Sequence, residues 1–317
     1  MRTVTALFVG LGSIGTRHLK NLANLCADRG WTLQADALRS DLTRPLRPGA
    51  AELLHAQYTD PAAAPAHYDM VFITNPTSLH AEALRQVRGR GEALFIEKPI
   101  FSAEQTGLAL ADYLPAGQKA YVAAPMRWCG VMLALKELLP TLHPYCARVI
   151  CSSYLPDWRP GVDYRTVYSA RKALGGGVTI DLIHEWDYLV ELFGVPEKLY
   201  NFKGTYSELE IDSDDLSVYI AKYPTLLAEV HLDYFGRGYR RSIELFCRDG
   251  SYLADFGKGT LTLPDGTVQH YEEDVNRRYE REMEYFVDYA LTGCGESCNP
   301  PALALKVLKL TLGENVQ

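Results

Sequence analysis

Val4-Thr5-Ala6-Leu7-Phe8-Val9-Gly10-Leu11-Gly12-Ser13-Ile14-Gly15 is the stretch on which the fold turns. Its first six residues are apolar or β-branched and read as a buried strand. After the glycines, Ile14, His18, Leu22, Leu25 and Cys26 recur at helical spacing. A glycine loop by itself is sometimes only a tight turn. Placed without a gap between strand and helix, it matches a dinucleotide-binding fingerprint: glycines let the backbone approach a pyrophosphate, and the helix amino end favours the negative charge.

A second strand-like run, Ala93-Leu94-Phe95-Ile96-Glu97-Lys98-Pro99, delivers a lysine to its carboxyl end. Ligands of open parallel sheets bind beyond the carboxyl ends of the strands, so Lys98 is expected on the same crevice as the glycine loop. The apolar run before it and Pro99-Ile100 after it set it apart from an ordinary solvated lysine. Residues 1–123 alternate between strand-like and helix-like segments, with strands at Thr32 to Leu38, Asp69 to Thr74, Leu94 to Ile96 and Ala120 to Ala124. A helix begins at His80, and Ser102 with Gln105 forms a capping-box pattern that predicts another. From about residue 145 the period becomes two, as in Leu216 to Ile220 and Ala228 to Leu232, with hairpin signals at Asp249-Gly250 and Asp265-Gly266. One helix is predicted near 178–193 and a final one over Leu303 to Leu312, packing back toward the domain boundary. The expectation is an α/β chain with two domains. Residues 1–123 should form a doubly wound parallel Rossmann sheet. Residues 124–317 should form an α/β domain on a large, open, mainly antiparallel sheet whose exposed face suits self-association.

The chain has 317 residues, 47% hydrophobic and 22% charged, with a formal net charge of −7. That balance argues against a nucleic-acid binder, which needs a concentrated basic patch. No run approaches the roughly 20 apolar residues that span a bilayer, and the amino terminus does not read as a signal peptide. Seven cysteines scattered along the chain do not suggest a disulfide framework. Cys294 and Cys298 are read as incidental reduced thiols rather than a metal or redox pair, no metal is expected, and the expected location is the cytoplasm.

The segment Gly175-Gly176-Gly177-Val178-Thr179-Ile180-Asp181-Leu182-Ile183-His184-Glu185-Trp186-Asp187 concentrates the remaining ionisable groups. On one continuous helix Asp181, His184, Glu185 and Tyr188 share a face. A solvated face is the plain alternative. Against it, the interleaved Ile180, Leu182, Ile183, Trp186, Leu189 and Val190 predict a buried helix, whose polar groups need partners such as substrate hydroxyls. Oxidising an alcohol requires a hydride acceptor and a base for the hydroxyl proton. Lys98 and His184 are the candidates for the proton, with Asp181 orienting His184 or binding a hydroxyl. Arg127, Arg165 and Arg171 suit a carboxylate or phosphate, or else salt bridges. Tyr154, Trp158 and Tyr164 suit a sugar ring, or else packing. At the adenosine end, Asp36 has the spacing of an NAD ribose ligand but lies mid-strand. Arg39 and Ser40 stand at the strand end with Arg44 close behind, which favours NADP over NAD; Asp41 argues the other way.

Taken in order, Gly10-Leu11-Gly12-Ser13-Ile14-Gly15, Thr74-Asn75-Pro76-Thr77-Ser78-Leu79-His80, Glu97-Lys98-Pro99, Met126-Arg127-Trp128 and the Gly175–His184 segment resemble the Gfo/Idh/MocA oxidoreductase family. The resemblance implies a Rossmann domain, a carboxyl-terminal open-sheet domain, frequent homodimers or homotetramers, and NAD(P)-dependent redox chemistry on sugars, sugar acids, cyclitols or nucleotide-sugars. It makes Lys98 the match to the catalytic lysine. With the readings above, Gly10, Gly12, Ser13, Ile14, Gly15, Arg39, Ser40, Asn75, Pro76, His80, Glu97, Lys98 and Arg127 are the expected cofactor residues. Lys98, Arg127, Trp158, Tyr164, Arg165, Asp181, His184 and Glu185 fall to the substrate. Many members place a histidine four residues after the aspartate matched by Asp181; here that position is Glu185, and the histidine is one residue earlier. The stretch from Asp157-Trp158-Arg159-Pro160 to Arg171 looks like members of bacterial surface-sugar pathways. Two other readings stay open: a glycoside-cleaving enzyme of the same family, and a non-catalytic NADP-sensing binding protein.

Overall fold

The computed structural model describes residues 2–292 and 295–316, which fall into two compact units, 1–123 with 279–305 and 124–278 with 306–317. Cys294 of the cysteine pair lies outside the described residues.

The first unit contains β1 (Thr3–Val9), α1 (Ser13–Asp28), β2 (Thr32–Leu38), β3 (Leu54–Tyr58), β4 (Tyr68–Ile73), α2 (His80–Gln86), β5 (Gly91–Ile96) and β6 (Lys119–Val122). The six strands form one parallel sheet in the order β3-β2-β1-β4-β5-β6. This is the doubly wound order whose switch point lies between β1 and β4, where the strands on either side run outward in opposite directions. The strands read as near-continuous apolar runs because both faces are covered. Phe8 stacks on Phe72 with ring centroids 4.4 Å apart, and Phe95 lies edge-on to Phe286 at 5.2 Å. Each such fully buried aromatic stabilises the unit by roughly 1.5–3 kcal/mol.

The second unit contains α3 (Gly130–Leu138), β7 (Cys146–Tyr154), α4 (Val178–Asp181), α5 (His184–Phe193), β8 (Lys198–Gly204), β9 (Leu216–Lys222), β10 (Leu227–Asp233), β11 (Phe235–Cys247), β12 (Gly250–Asp255), β13 (Thr260–Thr262) and β14 (Val268–His270). The eight strands form a mixed sheet, β14-β13-β12-β11-β7-β10-β9-β8, antiparallel except for the β10–β7 pair. Burial alternates along β9 and β10 as the period-two pattern requires. The buried face carries Val149, Cys151, Tyr219, Val230 and Leu245, and Trp186 of α5 packs edge-on against Tyr219 at 5.1 Å. Gly266, between β13 and β14, takes φ +84°, a turn conformation that glycine adopts at no steric cost. Two helices follow, α6 (Val275–Thr292) and α7 (Pro301–Thr311).

Three expectations need revision. A continuous second domain over 124–317 does not describe the contacts, since 279–305 belongs to the first unit, where Met283, Phe286 and Val287 join the aromatic core. The capping box at Ser102 and Gln105 forms, but it opens only a 3-10 turn, Ala103–Gln105; Thr106 and Gly107 follow at once and disfavour propagation. The single helix near 178–193 is two helices. Leu182 leaves helical geometry at φ −98°, ψ +30°, so Asp181 closes α4 and His184 opens α5.

Candidate active site

In the first unit the glycines have separate jobs. Gly10 has φ +88°, and a Cβ there would meet Asn75 Cα at 2.8 Å; a Cβ on Gly15 would meet Thr74 Oγ1 at 2.6 Å. Both therefore seal the loop against the segment after β4. At Gly12 a Cβ would meet nothing within 4 Å, and no side chain caps the amino end of α1. That leaves first-turn N–H groups and an open approach for an anion. The buried Asn75 Oδ1 also lacks a hydrogen-bond donor, although Asn75 Nδ2 donates to Leu79 O at 3.3 Å. A loop with bare backbone, a positive helix end and an orphaned acceptor beside it fits a dinucleotide.

Lys98 is half-buried just past the end of β5. Its neighbour Glu97 is buried and takes a 2.6 Å hydrogen bond from His18 Nε2 and a 3.1 Å bond from the Lys98 backbone N–H. Burial pushes the Glu97 carboxyl up, but the His18 bond and the charges of His18 and Lys98 outweigh it and hold the pKa below the ordinary value. A fixed anion thus anchors the backbone of Lys98 and feels its charge. His18 was legible only as a core position of α1; the signal was a histidine on an otherwise apolar helix stripe. His80 is buried, with Nε2 3.0 Å from Asn75 O and Nδ1 3.2 Å from Ile100 O. Burial lowers its pKa against those two contacts. His80 thereby fixes the backbone of Asn75, beside which Pro76 is exposed.

At the end of β2 the carboxylate and the arginine part company. Asp36 is buried and spent on Tyr68, whose hydroxyl donates to it at 2.8 Å, and on His55 Nδ1 at 3.2 Å. Arg39 donates to Gln57 Oε1 at 2.7 Å and to Arg44 O, and with Arg44 and Arg47 it lines a cavity of about 410 Å³. Ser40 is exposed beside it. Asp41 turns its carboxylate to the Thr43 backbone N–H and hydroxyl.

In the second unit Asp181 is buried and accepts hydrogen bonds from two phenols, Tyr168 on one oxygen and Tyr234 on the other at 2.5 Å. Burial and the carboxylate both push the two tyrosine pKa values far up. The triple glycine explains how Tyr168 arrives: a Cβ on Gly176 would collide with the carbonyl oxygens of Tyr168 and Ser169. His184 is half-buried at the first position of α5. The next residue, Glu185, is completely buried and bound in a fork by Arg241 at 2.7 and 3.1 Å. The helix break at Leu182 removes the fixed 100° rotation that a continuous helix would impose between neighbours. The histidine thus need not occupy the fourth position after Asp181.

The arginines read as anion ligands are engaged elsewhere. Arg127 is buried and grips Asp187 through two bonds of 2.8 and 2.9 Å, with Glu191 at 2.6 Å. Arg165 spans Asp163 and Glu210, and Arg171 lies 3.7 Å from Asp212. Trp158 donates to Ser153 Oγ at 3.0 Å and packs edge-on to Tyr234. The Tyr164 hydroxyl accepts the Glu210 N–H at 3.2 Å. Tyr168, Tyr234 and Arg241 were absent from the sequence-based site, since their partners lie 13, 53 and 56 residues away. Among the described residues no group of three or more His, Cys, Asp or Glu side chains is arranged to hold a metal ion. No described helix is long and apolar enough to cross a membrane.

Residues 4–121 match the family model described as the oxidoreductase family, NAD-binding Rossmann fold. The chain is 24% identical over 301 residues to the uncharacterized oxidoreductase YrbE of Bacillus subtilis, covering 88% of this chain and 84% of that one. It is 27% identical over 200 residues to inositol 2-dehydrogenase of Rhizobium meliloti, covering 61% and 56%. Among solved structures, levoglucosan dehydrogenase in complex with NADH and levoglucosan superposes with a TM-score of 0.80 at 15% identity, covering 98% of this chain and 96% of that one. That last likeness is one of fold.

Proposed function

Because the chain belongs to the Gfo/Idh/MocA oxidoreductase family, we propose that it moves a hydride between a nicotinamide dinucleotide and a CH–OH carbon of a sugar-like substrate. The observation that carries this reading is the pairing, in one unit, of an uncapped glycine-loop helix with a lysine whose backbone N–H is anchored on a buried carboxylate and whose charge acts on it. The dinucleotide, when bound, supplies the hydride acceptor or donor. Gly10, Gly12, Ser13, Ile14 and Gly15 would hold its pyrophosphate, and Asn75 and Pro76 flank them. Lys98 of the first unit and His184 of the second are the residues assigned to the substrate proton, while Asp181 holds the Tyr168 and Tyr234 hydroxyls. Glu97 and His80 hold the backbone at Lys98 and Asn75, and Arg127 grips Asp187 and Glu191 of α5, the helix that His184 opens.

NADP is the cofactor the adenosine end favours, since Asp36 is spent and Arg39, Arg44 and Arg47 surround the cavity. Arg39→Ala should raise the NADP dissociation constant by about tenfold or more and leave that of NAD unchanged; equal effects on both would remove the argument. The activity itself is tested by assaying sugars, sugar acids, cyclitols and nucleotide-sugars for nicotinamide reduction with both cofactors. Release of an alcohol without net cofactor reduction would favour the glycoside-cleaving reading. Silence across the panel would favour a binding protein.

The outward face of the second sheet exposes Tyr200, Phe202, Ile220 and Leu227, with Tyr200 paired to Ile220 and Phe202 to Val218. We assign this face to self-association. Phe202→Lys should shift the mass measured by light scattering from oligomer to monomer, and an unchanged mass would exclude this face. Six described cysteines are free thiols, which supports a reducing compartment and hence a cytoplasmic location.

A further inference from the structure

Building on the reading that the second unit binds a hydroxylated substrate, we propose that Arg237 recognises an anionic substituent of that substrate, a carboxylate or a phosphate. Four arginines of this region are engaged: Arg127, Arg165 and Arg241 each meet carboxylates at 2.6–2.9 Å, and Arg171 lies near Asp212, whereas Arg159 is exposed near Tyr168 with no aromatic ring fixing its guanidinium among the described residues. Among the described residues no carboxylate pairs with Arg237 or with Arg240, and both are exposed. Arg237 is nevertheless held in place. Its guanidinium lies over the Tyr154 ring, 3.8 Å from the centroid. Stacking fixes the plane of the group and leaves its N–H edge to meet an anion in a two-pronged geometry.

The backbone beneath is equally constrained. The β11–β7 register shifts between Phe235, opposite Tyr154, and Arg240, opposite Ser152. Buried Asp233 accepts the N–H groups of Phe235 at 3.1 Å and Gly236 at 2.7 Å. Burial pushes the Asp233 carboxyl up, but bonds from His231, Ser152 and Gly236 bring its pKa below the usual value, so the anchor is an anion. At Gly236 a Cβ would collide with Ser152 Oγ, which bonds Asp233, so a side chain there would displace that contact. Bulges of this kind re-aim side chains beside binding sites. This one lies at the carboxyl ends of β7 and the parallel β10, next to Tyr234, whose hydroxyl reaches Asp181. Arg240 adds a second positive charge at the bulge. In a chain of net charge −7, that local pair is what draws in an anion. An arginine that was merely solvated would need neither the ring nor the anchored bend.

The test titrates the full chain calorimetrically with glucuronate, UDP-glucose and, as neutral control, glucose, in wild type, Arg237→Gln and Arg237→Lys. At least one anionic probe should bind about tenfold or more tighter than glucose. That advantage should vanish in Arg237→Gln, persist in part in Arg237→Lys, and shrink with added salt. Preference for glucuronate identifies a carboxylate, and preference for UDP-glucose identifies a phosphate. Glucose binding as tightly as both anions, no binding by either anion, or an unaltered profile in Arg237→Gln overturns the assignment. Cofactor reduction is measured separately. Arg237-dependent binding without turnover defeats the redox reading alone, while turnover indifferent to Arg237→Gln defeats this inference alone.

Discussion

Lys98→Ala should lower kcat by about a thousandfold, the middle of the range for removing a positioned proton-transfer group, while dinucleotide affinity and thermal midpoint stay close to wild type. The separation follows from the structure. The phosphate-binding features are backbone: a loop with no side chain at Gly12 and a helix end with no cap. The core beneath Lys98 is made by Phe95, Phe72 and Phe286, none of which depends on the ammonium. What alanine removes is the charge that acts on Glu97, whose carboxyl keeps its His18 bond in the variant. Arginine should not restore turnover, because a guanidinium neither fits the place of an ammonium nor gives up a proton. The measurement is single-turnover hydride transfer with saturating cofactor, read beside cofactor affinity from fluorescence quenching. A Lys98→Ala enzyme retaining more than about a tenth of the rate would contradict a proton-handling lysine.

The first unit was readable because its signals are local. β1, the loop and α1 form a continuous segment whose hydrophobic period changes once, at Gly10, and β2 begins and ends where the apolar run does. The second unit was readable as a sheet for the same reason, through period two and Asp-Gly turns. The polar side of the site was not. Asp181 shows in the sequence as a carboxylate on an apolar stripe, but the phenols that engage it come from a 3-10 turn and from the residue after β10. Glu185 competes with His184 for the proton on sequence alone because it stands four residues after Asp181, where the family resemblance expects the histidine. Neither the kink at Leu182 nor the arginine 56 residues later has a local signature. The Ser102 box shows the converse: a correct cap does not make a helix when Thr106 and Gly107 follow.

Glu185→Ala should destabilise the protein by about 3–5 kcal/mol, because it strands a largely buried guanidinium without its carboxylate. Arg241 has few other options. The groups left around it are neutral: the Cys151 thiol, the Tyr239 hydroxyl that bonds it, and the Tyr188 hydroxyl, buried and itself without a hydrogen-bond partner. The expected sign is a thermal midpoint lower by roughly 10 °C. Replacing both partners with apolar residues, Glu185→Leu with Arg241→Met, should recover most of the loss, since the pair's desolvation cost then disappears together with its attraction. The same variants decide which side chain carries the proton. If Glu185 is a buried strut, the folded double variant keeps the wild-type pH dependence of kcat/KM, whereas His184→Ala loses one limb of it. The opposite pattern, in which His184→Ala leaves the profile intact while the double variant shifts it, would return the proton to the fourth position after Asp181.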